Sequence, residues 1–549
     1  MLQPCRPATP ETLVPRPRLL TNARVHGHLG ADAVAIADGR IVAVGAHDDI
    51  IGLLPTDAVA TDLGGGAVLP GFIDSHLHPM PMCFFESAVD LSGCRSVADV
   101  LDALADRASS RDADGWVFGV HLDDEVLAER RLPSRVELDG AGGGRPTVIL
   151  RRDGHHAVGS TAALAASGID RATPDPPGGV IHRDGAGELT GLCGETASGL
   201  LLDAVALPAW DEFVAALDRV VTRLARHGVT GISAICQTTA EGPAGRAGEL
   251  ESVAWSMLIE RVPFDVQTIL IGSQAAEVVA DHRTGPLHRP DAGRRLDAVK
   301  LFLDGTLGGH TACMRQPFHD APVSGMLTAD LEASYEWMVA SHAAGLQICI
   351  HAIGDRATAE AAGLFERLLR EHPADHRHRV EHASVLDDAT IERLAVVGVA
   401  AVVQPISIET ERHWLADRLG PERIGSVYPF RRLLDGGVEL AGSSDAPIES
   451  VDVIGALRCA TDRGGVAPDQ AITPAEAVAL YTSGGAWVRR VEDRTGAIVA
   501  GHDADLVVLS RHPVDAGGFT GVEVLATMAR GRLLHAVDRL GLGDPPPPS

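Results

Sequence analysis

Leu69-Pro70-Gly71-Phe72-Ile73-Asp74-Ser75-His76-Leu77-His78-Pro79 joins an apolar run to two metal-ligating side chains. Glycines and a proline bound the run, which reads as a buried strand ending in Asp74-Ser75-His76-Leu77-His78. Side chains alternate along a strand, so His76 and His78 point the same way with Cβ atoms about 7 Å apart. Two imidazoles at that spacing can hold one divalent ion, and neutral imidazole is the commonest metal ligand. Taken alone, the pair is equally compatible with decoration of an exposed strand. The rest of the chain decides between these readings.

Three later strand-like runs each end in a residue able to ligate a metal. Leu346 to Ile350 leads to His351, Arg379-Val380-Glu381 to His382, and Val438 to Ser444 to Asp445. A fourth, Leu296 to Val299, ends at Lys300 and continues as Leu301-Phe302-Leu303-Asp304-Gly305. Helix-compatible sequence separates these runs. Strands alternating with helices form a parallel sheet covered on both faces. Residues at the carboxyl ends of such strands converge on one mouth of a (β/α)₈ barrel, where chemistry is sited. The strands expected are 71–78, 229–236, 264–271, 298–303, 346–351, 378–383, 399–404 and 438–445, the number a closed barrel needs.

These motifs resemble the amidohydrolase superfamily, and within it amidohydrolase family 3, which includes N-substituted formamide deformylases. The matching stretches are LPGFIDSHLHP (69–79), Asp153-Gly154-His155, GGVIHRDGAGELTG (178–191), VKLFLDGTLG (299–308), HAIGDRA (351–357), RVEHAS (379–384), SSDAPIES (443–450) and GAIVAGHDADLVVL (496–509). The resemblance implies His76 and His78 on strand 1, Lys300 on strand 4, His351 and His382 on strands 5 and 6, and Asp445 on strand 8. Three positions depart from the family's habit: Ser443 where Gly is usual, Ser160 where Asn is frequent, and His310 where Arg is frequent. These departures bear on substrate identity more than on metal binding.

The fold expected is α/β: a TIM-like (β/α)₈ barrel over 70–489 with a small β-sandwich and a long insertion. Residues 19–69 and 490–540 are both strand-rich, and Asp38-Gly39 between two apolar runs is a hairpin signal. One composite β-sandwich built from both ends accounts for this, and the resemblance implies the same. Between residues 78 and 229 the chain is far longer than a normal βα loop. We read 85–208 as an insertion subdomain at the functional mouth. The proline-rich stretch 1–18 reads as a disordered N-terminal arm and 541–549 as a disordered tail.

Composition excludes several classes. A formal charge of −27 would repel nucleic acid and anionic membrane, and the low aromatic content argues against a nucleic-acid stacking surface. No secretory signal or membrane-spanning run is visible. Eight cysteines without CxxC spacing suggest neither a disulfide framework nor a zinc ribbon, which fits a reducing cytoplasm. The expected partner is a small-molecule substrate; a homodimer is compatible but unspecified.

Two hydrolytic designs remain open. With one divalent transition metal, zinc being the expected ion, His76, His78, His351 and Asp445 would surround it. With two, Lys300 must contribute, and the resemblance implies an N6-carboxylated lysine whose carbamate bridges the ions. Then His76, His78 and Asp445 hold the first ion, and His351 and His382 the second. Water activated by the metal would attack a C–N bond in an amide, N-substituted formamide or cyclic amide. Asp445 would transfer the proton. His155 is a candidate for supporting the oxyanion, and His155 and Arg183 are candidate substrate-binding residues in the insertion. Glu381, one residue before His382, is expected by alternation to face the outer helices. Asp355 and Arg356 are expected to pair with each other. The alternatives are a mononuclear deaminase on the same barrel, which would generally lack Lys300, and a non-catalytic barrel serving in binding or assembly.

Overall fold

A computed structural model describes residues 16–110, 115–239, 245–540 and 542. The arm at 1–15 and tail positions 541 and 543–549, expected from sequence to be disordered, lie outside the described residues. Eight parallel strands make the centre: β1 (Phe72–Leu77), β2 (Val229–Gln237), β3 (Asp265–Ile271), β4 (Arg294–Phe302), β5 (Gln347–Ala352), β6 (Arg379–His382), β7 (Ala400–Val403) and β8 (Leu440–Gly442). Neighbours pair in chain order from β1 to β8. Backbone bonds complete the ring, from Asp445 N–H to the His76 carbonyl (2.8 Å) and from His78 N–H to the Ala446 carbonyl (2.7 Å). The Ser444 N–H also donates to Asp74 Oδ1 at 3.0 Å. The architecture is a TIM-like barrel.

The sequence of the strands follows from this closure. Every residue of β2 is buried, because one face meets the barrel interior and the other meets helices. The helices bury a single stripe each. Asp355–Glu371 turns Ala357, Ala361, Phe365 and Leu368 inward. Asp388–Val397 starts with the Asp387 side chain accepting the Thr390 N–H and ends at Gly398 with φ of 68°. At Gly442 a Cβ would lie 2.3 Å from the Tyr481 ring. Glycine there lets Tyr481 reach the Ser443 carbonyl with its hydroxyl at 2.8 Å, which fixes the chain just before Asp445.

The two ends of the chain form two small sheets. One contains only N-terminal strands, and the other pairs Ala67–Pro70 with Leu506–Leu509 and the strands after it. Leu20, Val34 and Ile36 from one sheet share a core with Leu506, Val508 and Met528 from the other. Between β1 and β2, strands from Val89 to Glu195 form a six-stranded mixed sheet with its own apolar clusters. Polar ties fasten this unit to the barrel mouth. Arg152 pairs with Glu449, the buried Arg418 bonds Glu125 at 2.7 Å, and Thr306 Oγ1 donates to Asp153 at 3.1 Å. Among the described residues no helix is long and apolar enough to cross a membrane.

Candidate metal centre

His76, His78, Lys300, His351, His382 and Asp445 converge at the carboxyl ends of the barrel strands, lining one cavity together with His155 apart from the more deeply placed His76. Asp445 Oδ1 lies 3.3 Å from His76 Nε2 and 3.2 Å from His78 Nε2. Lys300 Nζ is 3.1 Å from His76 Nε2, and the His351 and His382 rings are 4.5 Å apart between centroids. One nitrogen each of His76 and His382 and one oxygen of Asp445 lie within 4.8 Å of one another.

Hydrogen bonds behind the rings select which nitrogen faces this space. His76 Nδ1 is held by Glu381 Oε2 at 2.6 Å, so Nε2 faces inward. His382 Nδ1 is held by Gln404 Oε1 at 2.8 Å, and Gln404 Nε2 in turn donates to Ser443 Oγ at 2.8 Å. His351 Nε2 is bonded to the Gly305 carbonyl at 3.2 Å, while its buried Nδ1 has no hydrogen-bond partner. The His76, His382 and Asp445 cluster, with the unpartnered nitrogen of His351 on a ring 4.5 Å from that of His382, offers the nitrogen and oxygen donors a divalent transition metal requires. The residues present therefore fit such an ion.

Electrostatics agree with that fit. Burial pushes His382 down to about 3 and His78 to about 4 despite the nearby Asp445 carboxylate. His351 is driven well below its ordinary value by burial and by His382. These imidazoles are neutral near pH 7, the form that ligates. Burial would raise Asp445, but His76, His78 and His382 outweigh it and hold the carboxylate well below the usual range. Burial lowers the Lys300 ammonium below its usual value, which increases its neutral, nucleophilic fraction.

Three expectations need correction. Glu381 does not face the outer helices: it is fully buried inside the barrel, hydrogen-bonded to His76 Nδ1 and ion-paired with Arg379 Nε, each at 2.6 Å. Strand alternation fails here because His382 and Ala383 have φ of 72° and 45°, so consecutive side chains both reach the centre. Arg183 does not line the cavity. Its guanidinium is bonded to Asp175 at 3.1 Å and to the Thr173 and Ile181 carbonyls, because it closes a local turn of the insertion. Asp355 and Arg356 do not pair with each other; Asp355 accepts the Arg315 N–H at 2.8 Å and Arg356 approaches Glu360 at 4.0 Å.

His155 does reach the cavity. Its Nδ1 is bonded to Glu195 Oε2 at 2.7 Å, and its ring lies 5.8 Å from that of His351. Burial alone would lower His155, but Glu195 overrides it and raises the ring to about 9. Sequence reasoning misses Glu195, Gln404 and Asp304, which orient ligands and loops rather than ligate. Asp304 is buried, accepts N–H bonds from Cys313, Ile353 and Gly354, and is pushed up to about 7 by burial. Its place directly after β4 is the available signal. The departures are also explained. Ser443 orients Gln404, Ser160 caps the helix at Thr161–Ala166, and His310 bonds Asp320 at 3.0 Å away from the cavity lining.

Comparison with known proteins rests on nearly the whole chain. The family model described as Amidohydrolase family matches residues 59–535. The chain belongs to the amidohydrolase family. Among the relatives of this amidohydrolase, YtcJ of Bacillus subtilis (strain 168), itself named a putative amidohydrolase, is 30% identical over 92% of this chain and 96% of its own. The N-substituted formamide deformylase of Arthrobacter pascens is 28% identical over 92% of this chain and 95% of its own. A crystal structure of a metal-dependent hydrolase from Pyrococcus horikoshii OT3 matches with a TM-score of 0.69 and 26% identity, over 91% of this chain and 98% of that one.

Proposed function

We propose that this amidohydrolase is a metal-dependent hydrolase that cleaves a C–N bond outside peptides, in an amide, an N-substituted formamide or a cyclic amide. The observation that carries the reading is the convergence of His76, His78, Lys300, His351, His382 and Asp445 at the carboxyl ends of the barrel strands, all but the deeper His76 lining one cavity. The metal-dependent hydrolase and formamide deformylase among the similar proteins support it. Lys300, 3.1 Å from His76, favours the design in which a carboxylated Lys300 would join the histidines and Asp445 in holding two ions over the mononuclear deaminase design.

A bound divalent ion, zinc in this proposal, would supply Lewis acidity and lower the pKa of water. Asp445 is the proton carrier. Its oxygens are held ionised, so the carboxylate accepts the proton that water loses as its oxygen attacks the carbonyl carbon. It then returns that proton to the nitrogen as the C–N bond breaks, which releases a carboxylic acid and an amine. His155, kept charged by Glu195, donates from Nε2 to the carbonyl oxygen as negative charge develops there. Elemental analysis with a panel of amides, carbamates and cyclic imides tests the reading. Protein free of metal whose hydrolytic activity survives chelation would overturn it.

A further inference from the structure

The cavity beside the metal centre encloses about 460 Å³ and has two unlike walls. On the β1–β3 side stand Phe84, Phe85, Leu207, Trp210, Phe213 and Ile271. Phe84 and Phe85 are 6.4 Å apart between ring centroids, and Trp210 stacks on Phe213 at 6.5 Å with an interplanar angle of 17°. Leu207 and Trp210 remain 53% and 45% exposed, so among the described residues nothing covers this end of the apolar surface. It is continuous with the metal-ligating side chains within the same cavity.

The opposite wall is polar but offers no uncommitted cation among the described residues. Arg152 is taken by Glu449 and approaches Asp123 at 3.7 Å; Glu449 also accepts the Thr410 hydroxyl at 2.7 Å. Arg151 is taken by Asp124 at 2.6 Å and Asp153 at 2.9 Å, and His155 by Glu195. Glu411, which accepts the Tyr428 hydroxyl, faces the cavity here, Glu251 faces it from beside the end of β2, where it accepts the Gln237 N–H at 2.7 Å, and burial raises both carboxyls to about 8. Near pH 7 these two carboxyls are therefore protonated and uncharged, and a carboxylate entering this space would give up its hydration with neither Arg151 nor Arg152 free to receive it.

We propose that the substrate is a neutral amide bearing an aryl or branched alkyl group, which seats on the Phe84–Phe85–Trp210–Phe213 wall, and that a carboxylate on that group is rejected. The inference rests on the hydrolase reading above for its reaction and on the two walls for its selectivity. It deepens that reading by excluding N-acyl amino acids and other anionic amides. The apolar wall supplies affinity by removing the ring from water, and the paired arginines supply the discrimination.

The test uses N-formyl and N-acetyl derivatives of 2-phenylethylamine, of its 4-carboxyphenyl counterpart and of ethylamine. Metal-reconstituted protein is assayed for amine release, and the Asp445→Asn variant is titrated calorimetrically so that binding is read without turnover. The phenyl compounds should exceed the ethyl ones by about 10–100-fold in kcat/KM and in affinity. The carboxylated compounds should fall about 100-fold or more below their phenyl parents. Glu449→Gln, which releases Arg152, should improve the carboxylated compound relative to its parent by about tenfold. If that variant does not fold, the wild-type ranking decides. Selective binding of the phenyl amides without turnover sustains this inference while sinking amide hydrolysis. Carboxylated and neutral compounds within a few fold of each other, ethyl and phenyl compounds used equally, or no binding of any amide would overturn it.

Discussion

Glu381→Gln separates the support of the metal centre from the centre itself. Glu381 is buried at both oxygens, with Oε2 on His76 Nδ1 and Oε1 on Arg379 Nε, each at 2.6 Å. Burial would raise its carboxyl, but Arg379 and His76 outweigh that and hold it down at about 2. Glutamine preserves the shape and one acceptor but leaves Arg379 without a counter-charge in a dry barrel. Breaking a buried pair from one side costs about 3–5 kcal/mol, and the preserved shape places this change near the lower end. Loss of the carboxylate behind a ligating histidine lowers metal affinity by about 10–100-fold, or roughly 1.4–2.8 kcal/mol. Competition against a chromophoric chelator reads the affinity, urea unfolding the stability, and ¹⁵N NMR of the imidazoles the His76 tautomer. Arg379→Gln serves as the control, since it loses stability yet leaves Glu381 on His76 and should weaken metal binding less. A folded Glu381→Gln protein that binds metal within twofold of wild type would refute the reasoning.

Three further outcomes are expected. Lys300→Ala should lose most activity and be partly rescued by short carboxylic acids that fill the bridging position; unchanged turnover and metal content would count against the two-ion design. Asp445→Asn should keep histidine-bound metal while kcat falls by about 10²–10⁴, and full turnover would move the proton transfer elsewhere. Stability should also decline in acid because His378 is pushed down to about 2 by burial and the neighbouring His376 and His342. Its Nδ1 accepts the Ile348 N–H and its Nε2 meets His342 Nδ1, so the folded state has no place for an added proton. The unfolded chain takes up that proton near pH 6.5, hence the contribution is complete above this value. It is lost at about 1.4 kcal/mol per pH unit as pH falls below it, and His378→Asn should flatten the slope of urea midpoints between about pH 7.5 and 5.5.

Local chemistry and strand parity explain which parts of this site the sequence discloses. His76, His78, His351 and Asp445 are legible because each ends an apolar run, and a parallel barrel delivers strand ends to one mouth whatever the intervening loops do. Glu381 is misread by the same rule. Parity assigns alternate residues to opposite faces only while φ stays in the extended region, and His382 and Ala383 leave it. Arg183 is placed by a different rule: it ends a strand of the insertion sheet, whose register is not tied to the barrel strands, and Asp175 holds its guanidinium away from the cavity lining. The apolar wall is invisible for a third reason, since Phe84 follows β1, Trp210 begins the helix before β2, and Ile271 ends β3. Residues so far apart carry no common spacing; only closure of the barrel gathers them. On the proposed reading the reaction is written in motifs at strand ends, whereas selectivity would arise from segments that meet only in the folded chain. Substitutions at Phe213 or Glu449 should accordingly redirect substrate choice while the ligand set keeps its metal, because both line the cavity without belonging to that set.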